Sequence, residues 1–234
     1  MKHLAKALFD RLGIPIYWLR QSAHEFKLAA IRLWALLPFQ RRRIRALLRK
    51  GPVRLNFGCG ETSYPGWVGV DQFFAPQVTI ALDLRGRLPF PDRSVDLCYS
   101  EHFLEHLTPP EGQRHLNEVH RILKPNGRYR VVVPDVLKFA KAYLDKDEAF
   151  FRRAFPWASR PMEALYSVAN WNGEHRNILD YDEFVHMGRA AGFASVRLST
   201  ANQSEVPELR IDKADPQRIE ESLYVELIKG GGTA

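Results

Sequence analysis

Residues 53–60 read VRLNFGCG, and residues 68–71 read VGVD. An apolar run of strand length enters a turn bracketed by Gly58 and Gly60, and 11 residues after Gly60 a second apolar run ends on Asp71. The same pattern continues down the chain. Strand signals fall at 53–57, 67–71, 78–83, 95–100, 127–134, 194–200 and 222–229. Helical spacing fills 111–124, where Leu116, Val119, Ile122 and Leu123 make one apolar face and the PNG of 125–127 is the expected stop. Further helices are predicted at 136–146 and at 181–191, the last closed by Gly192. Strands alternating with helices predict an α/β fold whose parallel sheet is covered on both faces. The final two strands, with a long polar connection between them, predict an antiparallel edge. Ligands of such sheets bind at the carboxyl ends of the strands, near the reversal of strand order.

Charge divides the chain in two. Residues 1–50 hold 12 of the 34 Lys and Arg but only 2 of the 27 acidic residues, a net of +10 against −3 for the rest. The basic excess is local, so it does not argue for nucleic-acid binding by the whole chain. Residues 1–50 read as a helical extension broken by Pro15 and Pro38, and Gly51-Pro52 separates it from a domain spanning 51–234. In QRRRIRALLRK (40–50), Ile44, Leu47 and Leu48 lie to one side of the arginines. One reading is a basic helix packed on the main domain. The other is contact with an anionic membrane face or a phosphate-bearing partner, which Trp18 and Trp34 would suit. The longest uncharged runs in this extension, 12–19 and 33–40, have 8 residues each, too short to span a bilayer. Asp10, Arg11 and Arg20 interrupt any secretory apolar region. The two cysteines, Cys59 and Cys98, sit in strand-like runs without metal spacing. Together these features predict a cytoplasmic protein, at most peripheral to a membrane, without a structural disulfide.

The turn itself constrains the ligand. Gly58 and Gly60 allow close approach to the backbone and leave amides free to donate. Asp71, at the end of the second strand, can accept both hydroxyls of a ribose. Glu61, Thr62 and Ser63 follow Gly60, so the G-x-G-x-x-G signature of a dinucleotide site is missing. A nucleoside carrying an amino acid fits better than one carrying a diphosphate. Asp83 closes the third strand in IALDL, in position to meet an adenine amino group, and Ser100 closes the fourth.

LNFGCG, VGVD, LDL…LPFPDRSVDLCYSEHFLEH and LNEVHRILKPNGRYRVVVPD together resemble class I S-adenosylmethionine-dependent methyltransferases of the type 11 group. The resemblance covers about a third of the chain, in the family's order. It implies a Rossmann-like methyltransferase sandwich: a mainly parallel seven-stranded sheet with an antiparallel edge, preceded by the N-terminal helical extension. It implies S-adenosylmethionine held by Asn56, Phe57, Gly58, Cys59 and Gly60. Asp71 and Gln72 then lie at the ribose, Asp83 and Leu84 near the adenine, and Ser100, Glu101 and His102 near the methionine part. The link from Gly60 to Asp71 is shorter than the family's, so the first helix is expected to be truncated or replaced by a loop around SYPGW (63–67).

The segment after the fourth strand bears on the acceptor. No NPPY-like tetrad is present, which disfavours nucleic-acid bases and amide nitrogens. Instead SEHFLEH brings Glu101, His102, Glu105 and His106 close to the donor methyl. His102 is the first candidate for a general base, because an imidazole titrates near working pH. HFLEH also fits the H-x-x-E-H zinc pattern, but Pro109-Pro110 follows three residues on where that pattern needs a long helix, and no metal is expected. Residues 155–180 are the expected acceptor-binding insertion. In NWNGEHRN (170–177), Trp171 can stack on a sugar or aromatic ring, and His175 or Arg176 can reach a hydroxyl or phosphate. His175 is the second catalytic candidate. The expected activity is oxygen methylation of a small or glycan-like acceptor, and the resemblance adds polysaccharide or secondary metabolism as its setting. The alternatives are nitrogen or carbon methylation of a metabolite, and a non-catalytic scaffold, for which Asp71 and Asp83 would have no use.

Overall fold

The computed structural model describes residues 16–35 and 37–232, without the side chains of 16–21 and 24. The expectations for residues 1–15 and for the Trp18 side chain therefore lie outside the described residues. Seven strands form one sheet: β1 (Arg54–Phe57), β2 (Val68–Asp71), β3 (Ile80–Ala81), β4 (Val95–Glu101), β5 (Leu123–Pro134), β6 (Ser195–Ser199) and β7 (Ser222–Ile228). Their order is β3-β2-β1-β4-β5-β7-β6. The first five are parallel, with Leu55 opposite both Val68 and Cys98. β7 runs antiparallel to β5 and to β6. This is the mostly parallel, Rossmann-like sheet with an antiparallel edge expected from the sequence. The strand order reverses between β1 and β4, so their carboxyl ends frame the crevice in which this architecture binds ligands. The strand centres are mainly apolar, with Leu55, Phe57, Val70, Cys98, Val131 and Val225 all buried.

Helices cover both faces: α1 (Ile16–Ala35), α2 (Pro38–Leu48), α3 (Pro109–Ile122), α4 (Val136–Leu144), α5 (Glu148–Ala154), α6 (Pro161–Asn170), α7 (Tyr181–Ala191) and α8 (Pro216–Glu221). α3 shows how local sequence sets an element. Pro109 and Pro110 occupy the first turn, where no amide is needed, and Glu111 accepts from both the amide and the hydroxyl of Thr108. Leu116, Val119 and Ile122 bury its apolar stripe.

Several sequence-based boundaries are corrected. α3 ends at Ile122, and the PNG of 125–127 lies inside β5 rather than stopping the helix. Pro125 disfavours helical geometry at Lys124, the chain is already extended at Leu123, and Asn126 takes a positive φ of 63°. The third strand shrinks from 78–83 to two residues, because only Ile80 and Ala81 find partners on β2. The 155–180 stretch, aperiodic in sequence, contains α6 and a 3-10 turn at Trp171–Gly173. α6 buries Ala164 and Val168 against Phe139, Phe150, Phe151 and Phe155 of α4 and α5 and the segment after them. The polar connection before β7 ends in α8. No helix forms between β1 and β2, as the short Gly60–Asp71 link predicts.

α1 packs on the domain through buried Leu28 and Ile31. Arg32 reaches Asp83 at 2.7 Å, and Glu25 takes a two-pronged contact from Arg85 at 2.7 and 3.0 Å. α2 buries Ile44 in the main core. No described helix is long and apolar enough to cross a membrane.

Candidate active site

β1 ends in a turn whose backbone favours glycine. Gly58 has φ +62° and Gly60 has φ +54°. A Cβ on Gly58 would meet Phe103 at 2.6 Å, whereas one on Gly60 would enter open space. The Gly60 amide donates to Oδ2 of Asp71 at 2.8 Å, and the Gln72 amide donates to Oδ1 at 2.6 Å. Asp71 therefore locks the turn to the end of β2. Burial raises its carboxyl above the ordinary value, against the pull of these two amides. Cys59 is a buried free thiol, pushed up to about 12 by burial and by the neighbouring Asp71. Asn56 and Phe57 are buried, the Phe57 ring lying edge-on to His115 and Tyr129 in the core.

The loop after β3 is pinned from two sides. Asp83 accepts from the amide and side chain of Arg85 and from Arg32, which fills the roughly four acceptor positions of a carboxylate. Opposing its burial, these partners hold its carboxyl below the ordinary value. Behind it, Nδ1 of His115 donates to the Leu84 carbonyl at 3.0 Å. Nε2 of that ring is then an acceptor for the Tyr129 hydroxyl at 3.3 Å, which in turn accepts from Ser100 at 2.8 Å. This chain ties the loop at Leu84 to the end of β4.

Beyond β4 the backbone turns sharply at His102, whose φ is +51°. The 3-10 turn Leu104–His106 comes next and faces a pocket of about 240 Å³. His102, Glu105 and His106 form one wall, Trp171 and His175 a second, and Gln217, Arg218 and Glu221 a third. Nε2 of His102 lies 3.1 Å from the Ser222 hydroxyl, and the Arg218 guanidinium packs against the ring. Burial first, and then the Arg218 charge, keep this imidazole well below its ordinary pKa and hence neutral. Arg218 pairs with Glu221 at 2.8 Å and lies 3.4 Å from Glu101. Burial lifts the Glu105 carboxyl to about 8. His175 stacks beside Trp171, whereas Arg176 turns away to Glu111 at 3.4 Å.

The structure thus gathers His102, Glu105, His106 and His175 in one pocket and places Asp71 with Gly60 at the neighbouring turn. The third wall escaped sequence reasoning. Ser222 pairs with Pro134 at the carboxyl end of β5, so the helix just before it lands beside the site. Its sequence, PQRIEE, carries no signal of that placement.

Residues 70–131, from β2 through β5, match the family model described as a methyltransferase domain. The match spans the part of the sheet that holds Asp71 and the end of β4, and its methyltransferase description agrees with the donor expected from the sequence. Several solved structures are similar at low identity. A methyltransferase from Archaeoglobus fulgidus is 14% identical, with a TM-score of 0.46, covering 81% of this chain and 91% of its own. The methylating domain of a citrinin polyketide synthase is 9% identical, with a TM-score of 0.46 and 77% of this chain covered. A protein from Bordetella parapertussis, described as a possible exported protein, is 15% identical, with a TM-score of 0.48 and 81% of this chain covered. This chain spans 47% and 66% of the last two.

The residues present fit S-adenosylmethionine, the methyl donor of this class. The space beside Gly60 is what a Cβ would fill, so the backbone there is open to a ligand. Asp71 has one backbone donor on each oxygen, which leaves acceptor capacity for two more hydroxyls.

Proposed function

We propose that this methyltransferase domain acts on a hydroxyl oxygen of a small or glycan-like acceptor. The observation that supports this is the pocket beside the carboxyl ends of β4 and β5, on which three imidazoles and a buried carboxylate converge. A hydroxyl acceptor must be aligned in line with the donor and must lose a proton, and both demands suit such a pocket. When bound, S-adenosylmethionine supplies an electrophilic methyl group on its sulfonium. The 56–60 turn, Asp71 and Gln72 hold the nucleoside in this reading, with Leu84 on the adenine side. Asp83 orders the adenine-side loop through Arg85. Ser100, Glu101 and His102 receive the amino-acid end. His102 takes the acceptor proton, His175 contacts the acceptor hydroxyl, and Trp171, 42% exposed, gives a sugar ring a face to stack on. Incubation with methyl-labelled S-adenosylmethionine and a panel of sugars and phenols tests the reading by NMR. New methoxyl signals are expected. Methyl groups appearing only on nitrogen or carbon would replace it with one of the alternatives.

The exposed side of the N-terminal helices supports peripheral contact with an anionic membrane. Phe26 and Leu33, seven residues apart on α1, are 78% and 67% exposed, and Trp34, Leu37 and Phe39 are also exposed near the arginines of α2. Flotation of the full chain with vesicles containing anionic lipid, and loss of flotation on removing residues 1–50, are the expected results. Flotation that survives the deletion would sink this part of the reading.

A further inference from the structure

We propose that Glu105, His106 and His175 form a binding site for a divalent first-row transition ion, such as Zn²⁺, Mn²⁺ or Co²⁺, in the wall of the acceptor pocket. One ligand atom from each of the three lies within 4.8 Å of the others. Glu105 is 3% exposed, yet neither carboxylate oxygen has a hydrogen-bond partner among the described residues. A buried carboxylate left this way is costly, and a cation is the ligand that relieves it. Both histidines are set in the tautomer that a metal needs. Nδ1 of His106 lies 3.1 Å from the Glu174 carbonyl, and Nδ1 of His175 lies 2.8 Å from the Val168 carbonyl. A carbonyl can only accept, so both Nδ1 atoms carry the proton and both lone pairs sit on Nε2. Orientation of a ring by such an outer hydrogen bond is typical of metal-bound histidine.

The backbone holds the two halves of the site together. The Glu105 carbonyl accepts from the amides of Arg176 and Asn177 at 2.8 and 3.1 Å, which draws His175 to within 3.9 Å of the Glu105 carboxylate. Atoms bonded to one ion at about 2.0–2.2 Å lie closer together than 4.8 Å, so binding would draw the three side chains inward. Two imidazoles and one carboxylate leave further coordination positions open. Arg218 brings a positive charge to the same pocket, but Glu221 and Glu101 balance it. The ligand set differs from the H-x-x-E-H pattern set aside on sequence grounds. His102 is not a member, and His175, 69 residues beyond His106, is. The ion's use rests on the oxygen-methylation reading: it would bind the acceptor hydroxyl, taking the place of a direct His175 contact, and make its proton easier to remove. The site itself does not depend on that reading.

The test uses the full chain, stripped with chelator and titrated with Zn²⁺ by calorimetry and with Co²⁺ by visible absorption. One equivalent of either ion is expected to bind, with Co²⁺ bands of nitrogen and oxygen ligation. H106A and H175A are expected to weaken Zn²⁺ binding about a hundredfold or more, since loss of even an outer partner costs 10–100-fold. H186A, at a histidine that is not a member of the cluster, serves as the control and should bind like the wild type. S-adenosylmethionine affinity and thermal midpoint, read on every variant, show that the fold is intact. No stoichiometric ion on folded wild-type protein, or binding unchanged in H106A and H175A, would overturn the site. A stoichiometric ion without methoxyl products would retain the site and remove the oxygen-methylation reading.

Discussion

Nδ1 of His115 donates to the carbonyl of Leu84 at 3.0 Å, joining the middle of α3 to the loop after β3. Because Nδ1 must carry the proton, Nε2 must accept from Tyr129, and Tyr129 must accept from Ser100. A protonated His115 would break this order. The ring is fully buried, and burial lowers its pKa from 6.5 to about 4.

The consequence is a pH-dependent stability. Between the folded value of about 4 and the unfolded value of 6.5, the unfolded chain binds a proton that the folded chain refuses. The contribution is therefore complete above 6.5 and is lost as pH falls toward 4, a total of about 3 kcal/mol. H115Q should be less stable than wild type at pH 7.5, and its stability should fall less steeply between pH 6.5 and 4. Urea unfolding of both proteins across that range provides the comparison. Parallel curves would mean that His115 does not titrate as its burial requires.

Asp71 joins the glycine turn after β1 to β2 and keeps acceptor capacity toward the open side of Gly60. D71N retains the shape but loses the charge, and its amide group can no longer accept on both sides. The expected result is at least about a tenfold loss of affinity for S-adenosylmethionine and S-adenosylhomocysteine by calorimetry. Equal affinity in the variant would remove Asp71 from the nucleoside site.

The legible and the hidden parts of this molecule differ for physical reasons. The β1 turn, Asp71 and the crossover helix α3 were readable because each depends on neighbours within a few residues. The missing helix between β1 and β2 came from chain length alone. The sequence puts Asp83 near the adenine and gives no sign that Arg32, 51 residues earlier, and Arg85 share its oxygens. Only the docking of α1 brings Arg32 there. Likewise Arg218 meets His102 across 116 residues because β7 inserts antiparallel beside β5. α6 gave a weak signal because its buried face is Ala164 and Val168, small residues that fit under a cluster of phenylalanines.

Arg130 is fully buried in β5 and ties the connection before β7 to the sheet. Its guanidinium donates to Asp212 at 2.8 Å, Glu226 at 3.0 Å, and the Thr200 carbonyl at 2.8 Å. Removing Arg130 leaves buried Asp212 without a cation among the described residues and Glu226 with Arg128 alone. R130M should lose about 3–5 kcal/mol in urea unfolding, and R130M/D212N/E226Q should regain part of it. A loss below about 1 kcal/mol in the single variant would place these carboxylates in contact with water.

The two glycines of the turn should respond differently to alanine. At Gly58 the new methyl group collides with Phe103 and the backbone is at φ +62°, so G58A strains the segment that carries His102 and Glu105. A stability loss of about 2–4 kcal/mol is expected, combining overpacking with left-handed strain. At Gly60 the φ of +54° gives a similar backbone penalty, but the methyl group meets no protein atom. G60A should lose only about 1–2 kcal/mol in stability, yet bind S-adenosylmethionine far more weakly, because the methyl group occupies the ligand's side of the turn. Thermal unfolding and calorimetric titration on both variants separate the two effects. If G60A bound the cofactor like wild type, the open side of Gly60 would not face the donor, and the cofactor turn would have to lie elsewhere along β1 and β2.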